Sequence, residues 1–488
     1  MRRAAVVGII VPLALGGCWG SSSSTGSGPS TGALVFVAPI LLDGASSQSA
    51  TFLPTGTEPR VAVGPDGRHW VITNTPAGDP EVFSSSDRVN WSRPGAFPHV
   101  DSPSPDVDIV VTRTGRVVAA ELSGAGFSVR IFYSDDGGAT WQTSLGPALL
   151  DQDRPWLAVG PDDPGTGAPR VYLLFHNVVA GSIVMDMFVS TSRDGGASFD
   201  APVPVTLPGD PAFADLQCSG SSGPSGLAVN RASGRIYAAW GTRTSILGGC
   251  GAILPPGTYE VSVESPTRIW VATSPDGSPG SWSTSLAVDD SIAGNVVGML
   301  WSPITLDSGG NVYVAYPETP NPYPDYRGAA IKYTWAPPDL AGWSAPVTVA
   351  RAGGAGHLLA HLVAGAPGKL DFAYLAGRDR EGASPEWFVT AAQTLDGLSA
   401  SPHISEVSLA DFPSYTGTAT ELAGACGSGP ARGIQQATIC PRAADNFGLA
   451  LDGACRVVVV WPAIENEADR AHAGTWLSLQ AGGAGICD

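Results

Sequence analysis

Seven times along this chain an apolar strand runs into a tight glycine turn and out into a second apolar strand. The copies span residues 60–72 around Pro65-Asp66-Gly67 and 107–120 around Arg113-Thr114-Gly115, then 156–175, 227–240, 304–316, 358–375 and 447–461. Most copies lead into a third strand (129–134, 187–192, 268–274, 330–335), a polar turn and a fourth strand. One such unit cannot bury both of its faces, so units repeating at this scale pack side by side as the blades of a β-propeller. The expected fold is all-β: a seven-bladed propeller of four-stranded antiparallel blades. Gly 62 and Pro 42 in 488 residues suit short strands joined by many turns, and no sustained 3.6-residue apolar stripe follows residue 18.

The fourth strand has its own phrase, an aromatic followed by x-Ala-Pro and alternating apolar residues. It reads Phe199-Asp200-Ala201-Pro202-Val203-Pro204-Val205 in the third repeat and Trp343-Ser344-Ala345-Pro346-Val347-Thr348-Val349 in the fifth. The same phrase stands alone at Phe36-Val37-Ala38-Pro39-Ile40-Leu41-Leu42, before any repeat begins, while the seventh repeat stops after three strands. The N-terminal segment is therefore expected to complete the last blade and close the ring, which removes an open sheet edge. Pro39, Pro202 and Pro346 fit outermost strands, where a missing N–H faces solvent.

Two of the polar turns share a pattern, S-x-D-x-G-x-[ST]-aromatic: Ser134, Asp136, Gly138 and Trp141, and Ser192, Asp194, Gly196 and Phe199. The hydroxyl and carboxylate can bond to turn N–H groups, the glycine can take positive φ, and the ring packs beneath. Worn versions stand at Ser274-Pro275-Asp276 with Trp282, and at Asp339 with Trp343. This pattern resembles the Asp-box, or bacterial neuraminidase repeat, of the sialidase-like β-propellers, and the architecture matches over nearly all of residues 34–488. In such turns the aspartate is structural.

The resemblance implies an exo-glycosidase acting on extracellular glycans. Sialidases carry three arginines on the substrate carboxylate, a Tyr nucleophile activated by Glu, and an Asp acid/base; the Tyr is an exception to the two-carboxylate scheme. On this chain the implied base–nucleophile set is Glu318 with Tyr323 or Tyr326. The family's opening [FY]-R-I-P falls on Gly56-Thr57-Glu58-Pro59, which has Thr57 at the arginine position, and the family ordinarily uses six blades. The alternative is a non-catalytic propeller that binds glycan or protein.

Loop lengths separate the two ends of the ring. The glycine turns and polar turns are short, whereas the second connection within each blade and the connection between blades are long, and these fall on opposite ends. Residues leading into each innermost strand, on the long-loop end, are the ligand-binding candidates: Glu58, Arg60, Asp106, Asp108, Asp153, Arg154 and His357. Arg243 and Arg378 join them from second-connection loops, as does His176. Carboxylates and arginines converging on one mouth suit a glycan or other cell-surface ligand. Equally, arginine–carboxylate pairs there can simply join blades.

The N-terminus reads as an address. Met1-Arg2-Arg3, an apolar run over residues 4–15 and Leu15-Gly16-Gly17-Cys18 form a secretory leader whose end resembles a bacterial lipobox. Residues 1–17 are expected to be removed, Cys18 lipidated, 18–32 to form a Gly/Ser-rich tether, and 33–488 to be one propeller domain. The protein is then extracytoplasmic, held to the cell envelope through its lipid alone, and a monomer. The six remaining cysteines are expected to pair, and position along the blades suggests Cys218–Cys250, Cys426–Cys440 and Cys455–Cys487, although other connectivities stay open. A formal net charge of −18 argues against a nucleic-acid partner. No cofactor motif is present; Asp162-Asp163 with Gly165 and Gly167 offers oxygens for Ca²⁺, but a solvated turn explains it as well.

Overall fold

In the computed structural model, the described residues are 32–42, 58–74, 79–98, 103–123, 128–146, 152–177, 186–219, 221–242, 266–298, 302–321, 325–418, 447–463 and 474–487. They form seven antiparallel sheets in sequence order. Blade one is Arg60–Val63, His69–Asn74 and Pro80–Ser85. Its fourth strand is reduced to a single bridge, with Ser84 and Ser92 exchanging both backbone hydrogen bonds. Blade three shows the full plan: Gln152–Asp162, Pro169–Asn177, Met187–Ser192 and Val203–Pro204 from axis to rim. Each innermost strand packs on that of the next blade, and the seventh, Gly448–Leu451, packs on the first, Arg60–Val63. The ring is closed.

The N-terminal segment completes blade seven. Val35–Phe36 and Ile40–Leu41 pair with Gly474–Gly482, aligning Phe36 with Gln480 and Ile40 with Leu477. Pro39 occupies the break between the two short pairings, where no ladder N–H is required. Val37 N donates to the Leu479 carbonyl at 2.9 Å, and Ser478 Oγ donates to the Val37 carbonyl at 2.7 Å.

Middle strands are buried on both faces: His69–Asn74 and Val457–Ala463 are buried at every position, and the latter reads as a continuous apolar run. Alternate side chains feed opposite seams. Val71 and Phe83 meet Val458, Val460 and Leu477 between blades seven and one, whereas Trp70 and Ile72 meet Val107, Ile109 and Phe132 between blades one and two.

The polar turns on the short-loop end close on themselves as their residue types require. Asp136 accepts from Thr140 N at 2.9 Å, while Gly138 N donates to Ser134 Oγ at 2.8 Å. Asp194, Ser192, Gly196 and Ser198 repeat that arrangement. Two further turns of the same kind escaped the pattern. In blade one Asp87 accepts from Val89 N and Asn90 N, but the turn is one residue shorter; in blade six Thr394 replaces serine and donates to Asp396. Asp162 is ion-paired with Arg113, and Asp163, which is buried, with Arg170 and Arg193.

Among the described residues one helix, Pro211–Ser219, interrupts the β pattern between blades three and four. Asp210 caps it, accepting from Ala212 N at 2.8 Å, with Pro211 at the first helical position. Its Asp215 reaches Arg268 at 3.2 Å and Trp270 Nε1 at 2.9 Å, fastening the helix to blade four. Cys455 and Cys487 are joined by a disulfide at the short-loop end. Cys250, Cys426 and Cys440 lie outside the described residues, as do the side chain of Cys218 and the whole of the leader and Cys18. No described helix is long and apolar enough to cross a membrane.

Candidate functional site

At the long-loop end, the innermost strands of several blades break register at the same place. Pairing skips between Pro103 and Val107, between Asp153 and Trp156, between Ser221 and Pro224, and between Leu358 and His361. Such bulges bend the strand and re-aim its side chains. The backbone is left-handed at Glu58 (φ 53°), Arg154 (φ 59°) and Leu359 (φ 53°), a conformation that costs a non-glycine residue of order 1 kcal/mol or more.

The bulges of blades two and three, with the left-handed turn at Glu58 ahead of blade one, bring seven of the predicted residues into one cluster. Arg154 Nη1 lies 2.9 Å from Glu58 Oε2 and is also ion-paired with Asp106. Arg60 Nε meets Asp108 Oδ1 at 3.2 Å, and its Nη1 donates to the Phe447 carbonyl at 3.3 Å. Asp108 further accepts from Ile109 N at 2.9 Å and from Leu157 N at 2.7 Å, tying blade two to blade three. The Arg60 guanidinium lies 4.7 Å over the Trp156 ring, whose Nε1 donates to the Pro224 carbonyl of blade four at 2.7 Å. Asp153 sits 3.4 Å from His176 Nε2 and accepts from Arg154 N at 2.8 Å. Burial opposes ionisation of Asp153, but His176 and Arg154 win and hold its carboxyl below the ordinary value.

Between these groups lies a narrow crevice lined by Glu58, Arg60, Asp106, Val107, Arg154, Pro155 and Trp156, with room for little more than a water molecule. Both of its arginines are already bound to carboxylates. The crevice lining itself sets these two arginines against two carboxylates, Glu58 and Asp106.

The remaining predicted residues do not join this cluster through any described bond. Glu318 is ion-paired with Lys332. Tyr326 is fully buried with φ 48°, and Tyr323 lies outside the described residues. His357 Nδ1 is 3.2 Å from the Ala329 carbonyl, its ring stands edge-on to Tyr374 at 5.6 Å, and burial lowers its pKa. Arg378 stacks 3.9 Å over Phe388 on blade six, and Arg243 lies outside the described residues.

One titratable group at this end went unnoticed in the sequence. Asp186 immediately precedes the third strand of blade three, accepting from Met187 N at 2.8 Å and Thr206 Oγ1 at 2.7 Å; burial pushes it up to about 6. A lone Asp ahead of an apolar run carries no signal of this, because the raised value comes from packing.

No protein-family model and no curated protein matches the chain. Among solved structures, it is similar to the BP39L lectin from Burkholderia pseudomallei: 12% identity, TM-score 0.51, covering 88% of this chain and 97% of that one. An α-L-arabinofuranosidase of family GH93 from Fusarium graminearum, in complex with arabinobiose, aligns over 92% of this chain and 97% of its own, at 9% identity and TM-score 0.45. A polysaccharide lyase of family PL25, an ulvan lyase, aligns over 73% and 86% at 12% identity and TM-score 0.47. At such identities the likeness speaks to the fold alone.

Proposed function

We propose that this protein is a glycan-binding propeller that holds its ligand at the long-loop mouth of blades one to three without cleaving it. The observation that carries the reading is the Glu58–Arg154–Asp106 cluster, in which two left-handed residues fix each other's side chains across the mouth. Strained backbone held by its surroundings is characteristic of pre-organised recognition sites. The lectin named above, which shares the fold, is consistent with this use of a propeller. Arg60 and Arg154 are engaged by Asp108 and by Glu58 and Asp106, an arrangement that suits hydroxyl-rich ligands better than a sugar carboxylate needing unengaged guanidinium groups.

A hydrolytic, sialidase-like reading is the second one, and Asp186 favours it: a carboxyl held near 6 at the same end of the ring has the value a general acid needs. A glycan array combined with a panel of 4-methylumbelliferyl glycosides separates the two. Binding without turnover on any glycoside is expected. Turnover that disappears in Asp186→Asn would establish the hydrolase instead, and neither binding nor turnover would remove both.

We further propose that the chain reaches the cell envelope as a lipoprotein anchored through Cys18, the tether entering the N-terminal strand from the short-loop end so that the mouth faces outward. Mass spectrometry of the N-terminal peptide from membrane fractions checks this. An unmodified Cys18, or cleavage elsewhere, would overturn it.

A further inference from the structure

We propose that the C-terminal strap, residues 483–487, is a proton-sensitive clasp on the seam between blades six and seven, seated while the carboxyl beneath it, Asp371, is neutral. Asp371 lies on the second strand of blade six, Leu370–Arg380, and is 1% exposed. Its Oδ1 accepts from Gln393 Nε2 at 2.8 Å, whereas Oδ2 is buried and makes no hydrogen bond among the described residues. The same Gln393 Nε2 donates to the Ala484 carbonyl of the strap at 3.1 Å. One amide therefore holds both the carboxyl and the strap.

The strap is tied down elsewhere by groups that do not titrate. Gln480 Nε2 donates to the Ala484 carbonyl at 2.9 Å, Ile486 N to the Cys455 carbonyl at 2.9 Å, and Ala366 N to the Ile486 carbonyl at 2.6 Å. Gly365 lies so close beneath Ile486 that a side chain there would collide with its carbonyl. The Cys455–Cys487 disulfide keeps the strap within reach once it lifts, so opening is local and reversible.

Burying a carboxylate with one amide donor is costly, whereas the neutral acid fits. Burial pushes Asp371 up to about 7, opposed only by the Gln393 amide. Facing it across the sheet are Val363 on one side and Gln393 on the other. Among the described residues, no charged side chain of blade six, of blade seven or of the strap acts on it, Lys369, Asp396 and Arg456 included. With the strap lifted, water reaches the carboxyl and its value returns to about 4. The seated state thus binds the proton more tightly. Seating is favoured at low pH, weakens as pH rises from about 4 to about 7, and levels off above that.

Hydrogen exchange on the full-length, disulfide-intact protein between pH 5 and pH 8, corrected for intrinsic rates, tests this. Protection of the Ala366 and Ile486 amides is expected to fall at least roughly tenfold from pH 5 to pH 7. The Val37 and Leu42 amides on the opposite seam should hold constant. Asp371→Asn is expected to keep strap protection high and flat with pH. A flat wild-type profile overturns the proposal even if the variant does not fold. So does an equal fall at Val37 and Leu42, or an unchanged fall in Asp371→Asn.

Discussion

Glu58 of blade one and Arg154 of blade three are bound to each other at 2.9 Å, and each adopts a left-handed backbone, with φ of 53° and 59°. Neither conformation is favourable for its residue type. The pair spans the intervening blade, whose Asp106 joins the same guanidinium. Three blades are thus tied at the mouth by one cation, and the two strained turns are held by the bond between their side chains.

Removing that cation is expected to be costly. Arg154→Met leaves Glu58 and Asp106 facing each other in a buried setting, and the loss should be about 3–5 kcal/mol, the range for breaking a buried ion pair from one side. Glu58→Asn should cost less than Glu58→Ala, because Asn tolerates the left-handed backbone that Ala resists. Urea unfolding of the three variants gives the order directly. An Arg154→Met midpoint equal to wild type would mean that the cluster does not hold the mouth.

The ring was legible because its causes are local and repeated. Each glycine turn, each polar turn and the Ala-Pro phrase of the closing strand carries its own signal, so seven blades and the N-terminal closure could be read from spacing. The cluster was legible only as a set of residues. Glu58 and Arg154 are 96 positions apart, and no local pattern says that an arginine of blade three will pass over blade two to a carboxylate of blade one. The helix Pro211–Ser219 was missed although Asp210-Pro211 is a readable start, since nine residues give too few turns for a periodic stripe. The turns at Asp87 and Asp396 were missed because one is a residue short and the other begins with Thr394.

Closure by the N-terminal segment predicts a position-specific loss. Ile40 and Leu42 are half-buried against Val61, Val71 and Leu477 at the seam of blades seven and one. Ile40→Asp should cost about 2 kcal/mol through lost apolar burial. A variant truncated through residue 42 should expose the edge of Gly474–Gly482 and aggregate on heating. Light scattering during a thermal ramp distinguishes this from simple destabilisation; a truncated protein that melts like wild type without scattering would contradict the closure.

The polar turns should affect stability and leave ligand binding alone. Hydrogen bonds from Thr140 and Ser134 hold Asp136 down to about 2; Asp194 is also lowered, burial opposing and the Ser198 bonds prevailing. Since both folded values lie below the ordinary one, their contribution is present above about pH 4 and lost as pH falls toward 2. Asp194→Ala should cost about 1 kcal/mol at pH 7. The double variant Asp136→Asn/Asp194→Asn should show a shallower loss of stability between pH 4 and pH 2 than wild type. Unchanged glycan-array signal in these variants is part of the expectation, and loss of binding would place the ligand on the wrong end of the ring.

Asp186 gives the opposite sign. Its folded value is raised to about 6 by burial, so the carboxyl stabilises the fold while protonated, and that contribution is lost as pH rises from about 4 through about 6. Asp186→Asn preserves an oxygen for Thr206 Oγ1 and Met187 N without the charge. It should therefore unfold like wild type at pH 4 and be more stable at pH 8, by about 1–2 kcal/mol once partial solvent screening is allowed for. Urea unfolding at the two pH values reads the difference. A variant less stable than wild type at pH 8 would mean that the ionised carboxylate is satisfied where it stands, which would also remove the argument for Asp186 as a general acid.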